Sequence, residues 1–261
     1  MAKEAESTRD VLDFWNSRAT LGQLAGTRDL IAKQLEIAAL LELVQDGMRV
    51  LEVGCGNGIT AIEVSRRHAV HLLAIDFAEE MITAAKSLLA GQAVKGAVEF
   101  RVGDVRQLAT PSEAYDLVYT ERVLINLPDW PSQYQALRDI MRLVAPGGAY
   151  AMCENSQDGL EAINALRARV GLPAITPPWH NRYLRDAELA AVSIPDVTLE
   201  SVRHYSSTYY LLSRVVNAAL AAREGKAPHY ESPINQLALS LPSIGELGQG
   251  KLWVWRRAGG R

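Results

Sequence analysis

Arg49 to Val53 (RVLEV) is a short, β-branched apolar run that ends in Gly54-Cys55-Gly56-Asn57-Gly58 and passes directly into a helical pattern, Ile59 to Arg67. A strand that ends in closely spaced glycines and feeds a helix makes a tight turn, lets the backbone approach a ligand and leaves helix N–H groups free. The alternation continues along the chain. His71 to Asp76 (HLLAID) reads as a second strand, 78–89 as a second helix, 98–104 (VEFRVGD) as a third strand and Tyr115 to Glu121 (YDLVYTE) as a fourth. Pro131 opens a helix with Tyr134, Leu137, Ile140, Met141 and Val144 on one face; Pro146-Gly147-Gly148 stops it, and 149–153 is a fifth strand. Strands alternating with helices of this length predict a parallel sheet covered on both faces, an α/β core over residues 46–155.

The flanks differ. Residues 1–45 form an N-terminal helical cap, helical in pattern over 8–43 with a break at Gly22 to Gly26. Residues 156–261 complete the sheet and carry pocket or lid insertions: a helix over 157–170, a stiff loop over 171–181 (GLPAITPPWHN), and strand composition at 197–212 and 251–256. The last two suit a closing antiparallel pair, and the 213–250 insertion between them is a lid candidate together with the N-terminal helices.

Three successive strand ends present a glycine turn, Asp76 and Gly103-Asp104-Val105, all on the carboxyl edge where open α/β sheets bind ligands. Asp76 is placed to accept both hydroxyls of a ribose, and Asp104 an exocyclic amine of adenine. The turn is not a dinucleotide fingerprint, because the position of the third glycine is Ile59. A nicotinamide-dependent dehydrogenase, NAD(P)-linked, is therefore only an alternative reading.

The motifs LEVGCGNG, AIDFAEEM, VGDV, YDLVYTERVLINLPD and APGG, in this order, resemble the class I S-adenosylmethionine-dependent methyltransferases. FWNSRA, GTRDLIAKQLE and PPWHNRYL add a fainter similarity to bacterial small-molecule members. The resemblance implies a Rossmann-like, doubly wound seven-stranded sheet, mostly parallel with an antiparallel last strand, in three α/β/α layers with a helical lid. It implies S-adenosyl-L-methionine as cofactor and S-adenosyl-L-homocysteine as product. Gly54, Cys55, Gly56, Asn57 and Gly58 would line the methionine part, with Glu52 orienting this loop. Asp76 would bind the ribose, Phe77 and Met81 would flank the adenine, and Gly103, Asp104 and the Val105 amide would meet its edge. Thr120 and Glu121 would lie beside the sulfonium. In the N-terminal helices, Trp15 and Arg28 are candidates to close over the cofactor, with Arg28 pairing its carboxylate; an exposed arginine making no such contact is the alternative.

Methyl transfer is an in-line displacement, and a base is needed only where the acceptor must lose a proton, as a hydroxyl must. His180, in Pro177-Pro178-Trp179-His180-Asn181, is the candidate base or acceptor contact; a loop histidine bonded to backbone is the alternative. Arg122, Trp179, Asn181, Tyr183 and Tyr209, with Tyr210 beside it, are the candidate acceptor-pocket residues; packing in the core is the alternative for the aromatics. Trp253 and Trp255 alternate in a strand and read as packing.

Composition removes several classes. With 27 Lys plus Arg against 30 Asp plus Glu and no basic stripe, nucleic acid is not the expected partner. Two cysteines support neither a disulfide framework nor a thiolate metal site. The opening MAKEAESTRD lacks an apolar run and no stretch is long enough to span a bilayer, so a cytoplasmic monomer or homodimer without metal is expected. The combined reading is an enclosed pocket for a small-molecule acceptor, with O-methylation ahead of N-methylation. A cofactor-binding module without catalysis stays open.

Overall fold

The computed structural model describes residues 2–108 and 114–260, with side chains from Arg9 onward. Seven strands form one sheet in the order β3-β2-β1-β4-β5-β7-β6. They are β1 Arg49–Val53, β2 His71–Asp76, β3 Ala97–Val102, β4 Tyr115–Glu121, β5 Val144–Asn155, β6 Val197–Arg203 and β7 Gly250–Arg257. The first five run parallel, and β7 inserts antiparallel between β5 and β6.

The two-residue period of the strands divides their side chains between two cores. Leu117, Tyr119, Ala149, Ala151, Cys153, Leu252 and Val254 face one side, where they meet Leu40, Ile62 and Ile82. Those three come from α2 Leu30–Leu41, α3 Ile59–Arg67 and α4 Glu79–Leu89. Val118, Tyr150, Met152, Trp253 and Trp255 face the other side, against Leu137, Ile140 and Leu160. These belong to α5 Trp130–Leu143 and α6 Gln157–Arg169. Trp253 and Trp255 thus pack in one core, as their alternation implies. Among the described residues, no helix is long and apolar enough to cross a membrane.

Two smaller clusters cover the carboxyl edge. Helix α1, Ala2–Arg18, brings Leu12 and Trp15 against Met81 and Phe77. Ile31 and Ala32 of α2 pack on Tyr209, Tyr210 and Val215.

The strand expected over 197–212 is corrected. It ends at Arg203, and the chain becomes helical through Ser207–Tyr210, a π-helical stretch Leu211–Asn217 and Ala218–Arg223. In a strand Tyr209 and Tyr210 would point to opposite faces; in the helix both are buried. Ser206 and Ser207 anchor the turn, donating to Gly250 O at 3.0 Å and Ile244 O at 2.7 Å. Local β-propensity yields to this tertiary packing.

Ser156 fixes the turn from β5 into α6: its Oγ accepts from Gly159 N at 3.1 Å and donates to Asp186 Oδ1 at 2.9 Å. Ser156→Ala is expected to cost about 1–2 kcal/mol, read as a lower urea midpoint. An unchanged midpoint would show that the cap contributes nothing.

Candidate active site

The glycine turn after β1 is built from the backbone. Gly54 and Gly56 have φ of +76° and +52°, a region that favours glycine. Gly54 N and Cys55 N donate to Ile75 O at 2.7 and 2.9 Å, which ties the turn to β2. Asp76 finishes the tie: Oδ2 accepts from Gly56 N at 2.8 Å and Oδ1 from Ala78 N at 2.9 Å. Burial pushes its carboxyl up to about 6, although those amides pull the other way.

Above this edge lies a cavity of about 420 Å³. Gly54, Cys55, Gly56, Asn57, Asp76, Phe77, Met81, Gly103, Asp104, Val105 and Glu121 line it on the sheet side, as sequence reasoning grouped them. Asp104 also chelates Arg106, whose Nε lies 2.9 and 3.1 Å from its two oxygens. Trp15, Arg122, His180, Asn181 and Tyr183 complete the set of expected residues that reach the cavity.

Six expected residues do not line it. Glu52 is buried in the sheet and accepts from Tyr119 OH at 3.0 Å, while the loop amide of Gly56 goes to Asp76 instead. Thr120 pairs with Tyr150 OH at 2.9 Å inside the other core. Gly58 starts α3, and a Cβ there would lie 2.5 Å from Phe100 Cζ, so its role is packing. Arg28 lies outside the cavity wall, where Arg18 and Lys33 stand in its place. Trp179 is 67% exposed. The hydroxyl of Tyr209 turns to Asp29, and the next residue, Tyr210, faces the cavity.

Sequence reasoning missed the wall contributed by the cover. Asp29, at the cap of α2, and Lys33 and Glu36 within it enter from one side, and Arg214 and Tyr230 from the insertion, beside the expected Tyr210. Lys33 forms a buried ion pair with Glu121, which also accepts from Thr60 Oγ1 at 2.6 Å. Arg214 pairs with Asp29 and stands over the rings of Tyr210 and Tyr230 at 5.1 and 4.9 Å. One signal was available: Lys33 and Glu36 lie three residues apart on one face of an otherwise apolar helix, LIAKQLEIAALL.

At the mouth His180 stacks on Phe14, with ring centroids 4.4 Å apart, and its buried Nδ1 has no hydrogen-bond partner. Burial, helped by Arg18, lowers its affinity for a proton.

Comparison with known proteins places this geometry. Residues 50–148 match the family model described as a methyltransferase domain. The 27-O-demethylrifamycin SV methyltransferase of Amycolatopsis mediterranei is 29% identical over 195 residues, 71% of this chain and 68% of that protein. The chain is thus similar to methyltransferases over its core and, more distantly, over most of its length. Phosphoethanolamine N-methyltransferase of Triticum aestivum is 31% identical over 113 residues, but the match spans only 43% of this chain and 21% of the plant protein. In fold it is similar to an S-adenosylmethionine-dependent methyltransferase from Mesorhizobium loti, with a TM-score of 0.55 at 19% identity, covering 87% of this chain and 100% of that one. The family match favours the methyltransferase reading over the dehydrogenase alternative.

Buried acids give the protein a distinctive pH response. Glu154 accepts from the amides of Val123 and Leu124 at 2.9 and 3.1 Å, yet burial pushes its carboxyl up to about 7. Burial, with Glu121 nearby, pushes Glu52 up to about 8. Both carboxyls hold their proton more tightly folded than unfolded. Their contribution to stability is therefore full below the unfolded carboxylate range and is lost as pH rises through about 7 and about 8. The urea midpoint is expected to fall across that window, and Glu52→Gln to flatten the fall. A midpoint that rises there would contradict this.

Proposed function

We propose that this protein is an S-adenosylmethionine-dependent methyltransferase that passes a methyl group to a small-molecule acceptor enclosed in the cavity that holds its cofactor, with oxygen ahead of nitrogen as the receiving atom. One observation carries the reading: a single cavity of about 420 Å³ is walled both by the strand ends and by the helices that cover them. Small-ligand sites are commonly about 300–1,000 Å³, and a macromolecular acceptor needs an open groove instead. The resemblance to the rifamycin enzyme, named for an O-methylation and extending beyond the core domain, favours oxygen.

The residues present fit the cofactor. Gly54, Gly56 and Asn57 would receive its methionine part on a turn that side chains would obstruct. Asp76 would accept from the ribose while still holding Gly56 N, Phe77 and Met81 would flank the adenine, and Asp104 with the Val105 amide would meet its edge. Trp15 would cover it. Arg18, which lines the cavity, takes the place assigned to Arg28. S-adenosylmethionine supplies, when bound, an electrophilic methyl group on a positively charged sulfur.

The remaining work is done by the chain. Arg122, Asn181, Tyr183 and Tyr210 would orient the acceptor, and α1 with the His180 loop would exclude water. Such positioning supplies about 7–11 kcal/mol of a barrier of this kind. A base adds about 10²–10⁴-fold for a hydroxyl acceptor. His180, on the wall and short of a partner at Nδ1, is one candidate.

The test is a mass-spectrometric screen of the protein with S-adenosylmethionine and a panel of hydroxyl- and amine-bearing small molecules. A product heavier by one methylene, formed with stoichiometric S-adenosylhomocysteine, supports the reading, and its structure names the atom. Cofactor binding without any product across the panel would favour the binding module without catalysis.

A further inference from the structure

The wall shared by α2 and the end of β4 holds two acids with unmet bonding capacity. Glu36 and Glu121 are both buried and both line the cavity. Glu36 Oε2 and Glu121 Oε1 have no hydrogen-bond partner among the described residues. A buried acceptor left without a donor costs about 1–3 kcal/mol, and a bound group that brings positive charge or an O–H would relieve it.

The structure also holds Glu36 in place. Arg122 Nε lies 3.3 Å from Glu36 Oε1, and Arg122 donates to Gly26 O at 3.1 Å. Arg122 adopts φ +56°, a left-handed backbone that an arginine rarely takes, at the point where β4 ends. Its amide is fixed to Cys153 O at 2.8 Å, so the surrounding sheet maintains the strained turn.

Every neighbour of Glu36 bears on its proton. Burial raises its carboxyl above the ordinary range, Glu121 and Asp29 add to this, and Arg122 and Lys33 oppose it. Cys153 of β5, Tyr205 of the turn after β6 and Tyr210 of the helical cover also interact electrostatically with it. A cation arriving beside such a group favours its charged form.

We propose that Glu36 is a proton carrier of this site, a neutral acid before the cationic cofactor enters, a carboxylate afterwards, and in that form the acceptor for the proton of a hydroxyl substrate. The inference rests on the methyltransferase reading. In the transfer the hydroxyl oxygen forms its bond to the methyl carbon as the carbon–sulfur bond breaks, and sulfur keeps that electron pair. Glu36 takes the hydroxyl proton and so returns to the neutral acid with which the cycle began; the one proton released to water is the one it gave up as the cofactor entered. Arg122 acts as a positioning residue for Glu36.

The cofactor and its product make the test possible without a known acceptor, because S-adenosylmethionine carries one more positive charge than S-adenosylhomocysteine. Both are titrated calorimetrically into the full chain near neutral pH, in buffers of different ionisation enthalpy, so that protons released on binding are counted. S-adenosylmethionine is expected to release more protons than the homocysteine, by a difference of up to about one. Glu36→Gln should abolish the difference, with S-adenosylhomocysteine binding as the check on folding. Glu36→Asp should keep it but move the pH at which it is half-maximal. If the Gln variant does not fold, that shift alone decides: an unmoved midpoint overturns the proposal. Equal release by the two ligands overturns it, as does a difference that survives Glu36→Gln, which would pass the proton to Glu52 or Asp76. If neither ligand binds, the cofactor reading itself falls and takes the inference with it.

Discussion

Gly54→Ala is expected to weaken S-adenosylmethionine binding by roughly 100-fold, about 3 kcal/mol. Two effects add. The residue sits at φ +76°, where a side chain is strained. The new Cβ would also fall 2.2 Å from Val123 Cγ2 and 3.0 Å from Cγ1. Val123 cannot yield cheaply, since its amide is bonded to Glu154 and its side chain forms part of the cavity wall. The turn must shift instead, and with it the Gly56 amide held by Asp76. Gly147→Ala provides the control, with φ +78° but nothing within 4 Å of its Cβ and no place on the cavity wall. It should lose stability by about 1–2 kcal/mol and leave cofactor affinity unchanged. Similar affinity losses in both variants would show that the close approach to Val123 is irrelevant.

Asp76→Ala carries the next largest effect, about 1.5–3 kcal/mol or roughly 10- to 100-fold in cofactor affinity. The carboxylate joins two amides, from the glycine turn and from the start of α4, and offers its remaining lone pairs to ribose hydroxyls. Its proton affinity gives a second signature. Because burial raises its carboxyl to about 6, the ionised acceptor is lost as pH falls through that value. Wild-type affinity should therefore decline below about 6, and Asp76→Asn should be weaker but insensitive to pH in that range. A pH-independent wild type would separate Asp76 from cofactor recognition.

The sheet and its carboxyl edge were legible because they rest on local chemistry. Gly54, Gly56, Asp76 and Gly103-Asp104 each mark a strand end by residue type, and strand ends on one edge of a parallel sheet converge whatever the flanks do. The cover was less legible. Glu36, Tyr210 and Arg214 reach the cavity through the packing of α2 on the segment 207–223, a contact between residues far apart in sequence. The strand composition of 197–212 concealed the helical turn that brings Tyr210 to the wall and turns Tyr209 toward Asp29. Arg28 rather than Arg18 is the expected closing residue in the sequence, and Arg18 is the one on the cavity wall: charge is visible in a sequence, but the direction in which an N-terminal helix lies over the sheet is not. Trp179 was selected for its aromatic ring, and it lies on the outer side of the cluster with Phe14 and His180.

Calorimetric titration with S-adenosylmethionine, S-adenosylhomocysteine and NAD tests the central claim most directly. Micromolar binding of both sulfur nucleotides and no binding of NAD is the expected result. Binding of NAD, or of neither sulfur nucleotide, would contradict the assignment of the glycine turn, Asp76 and Asp104 to this cofactor.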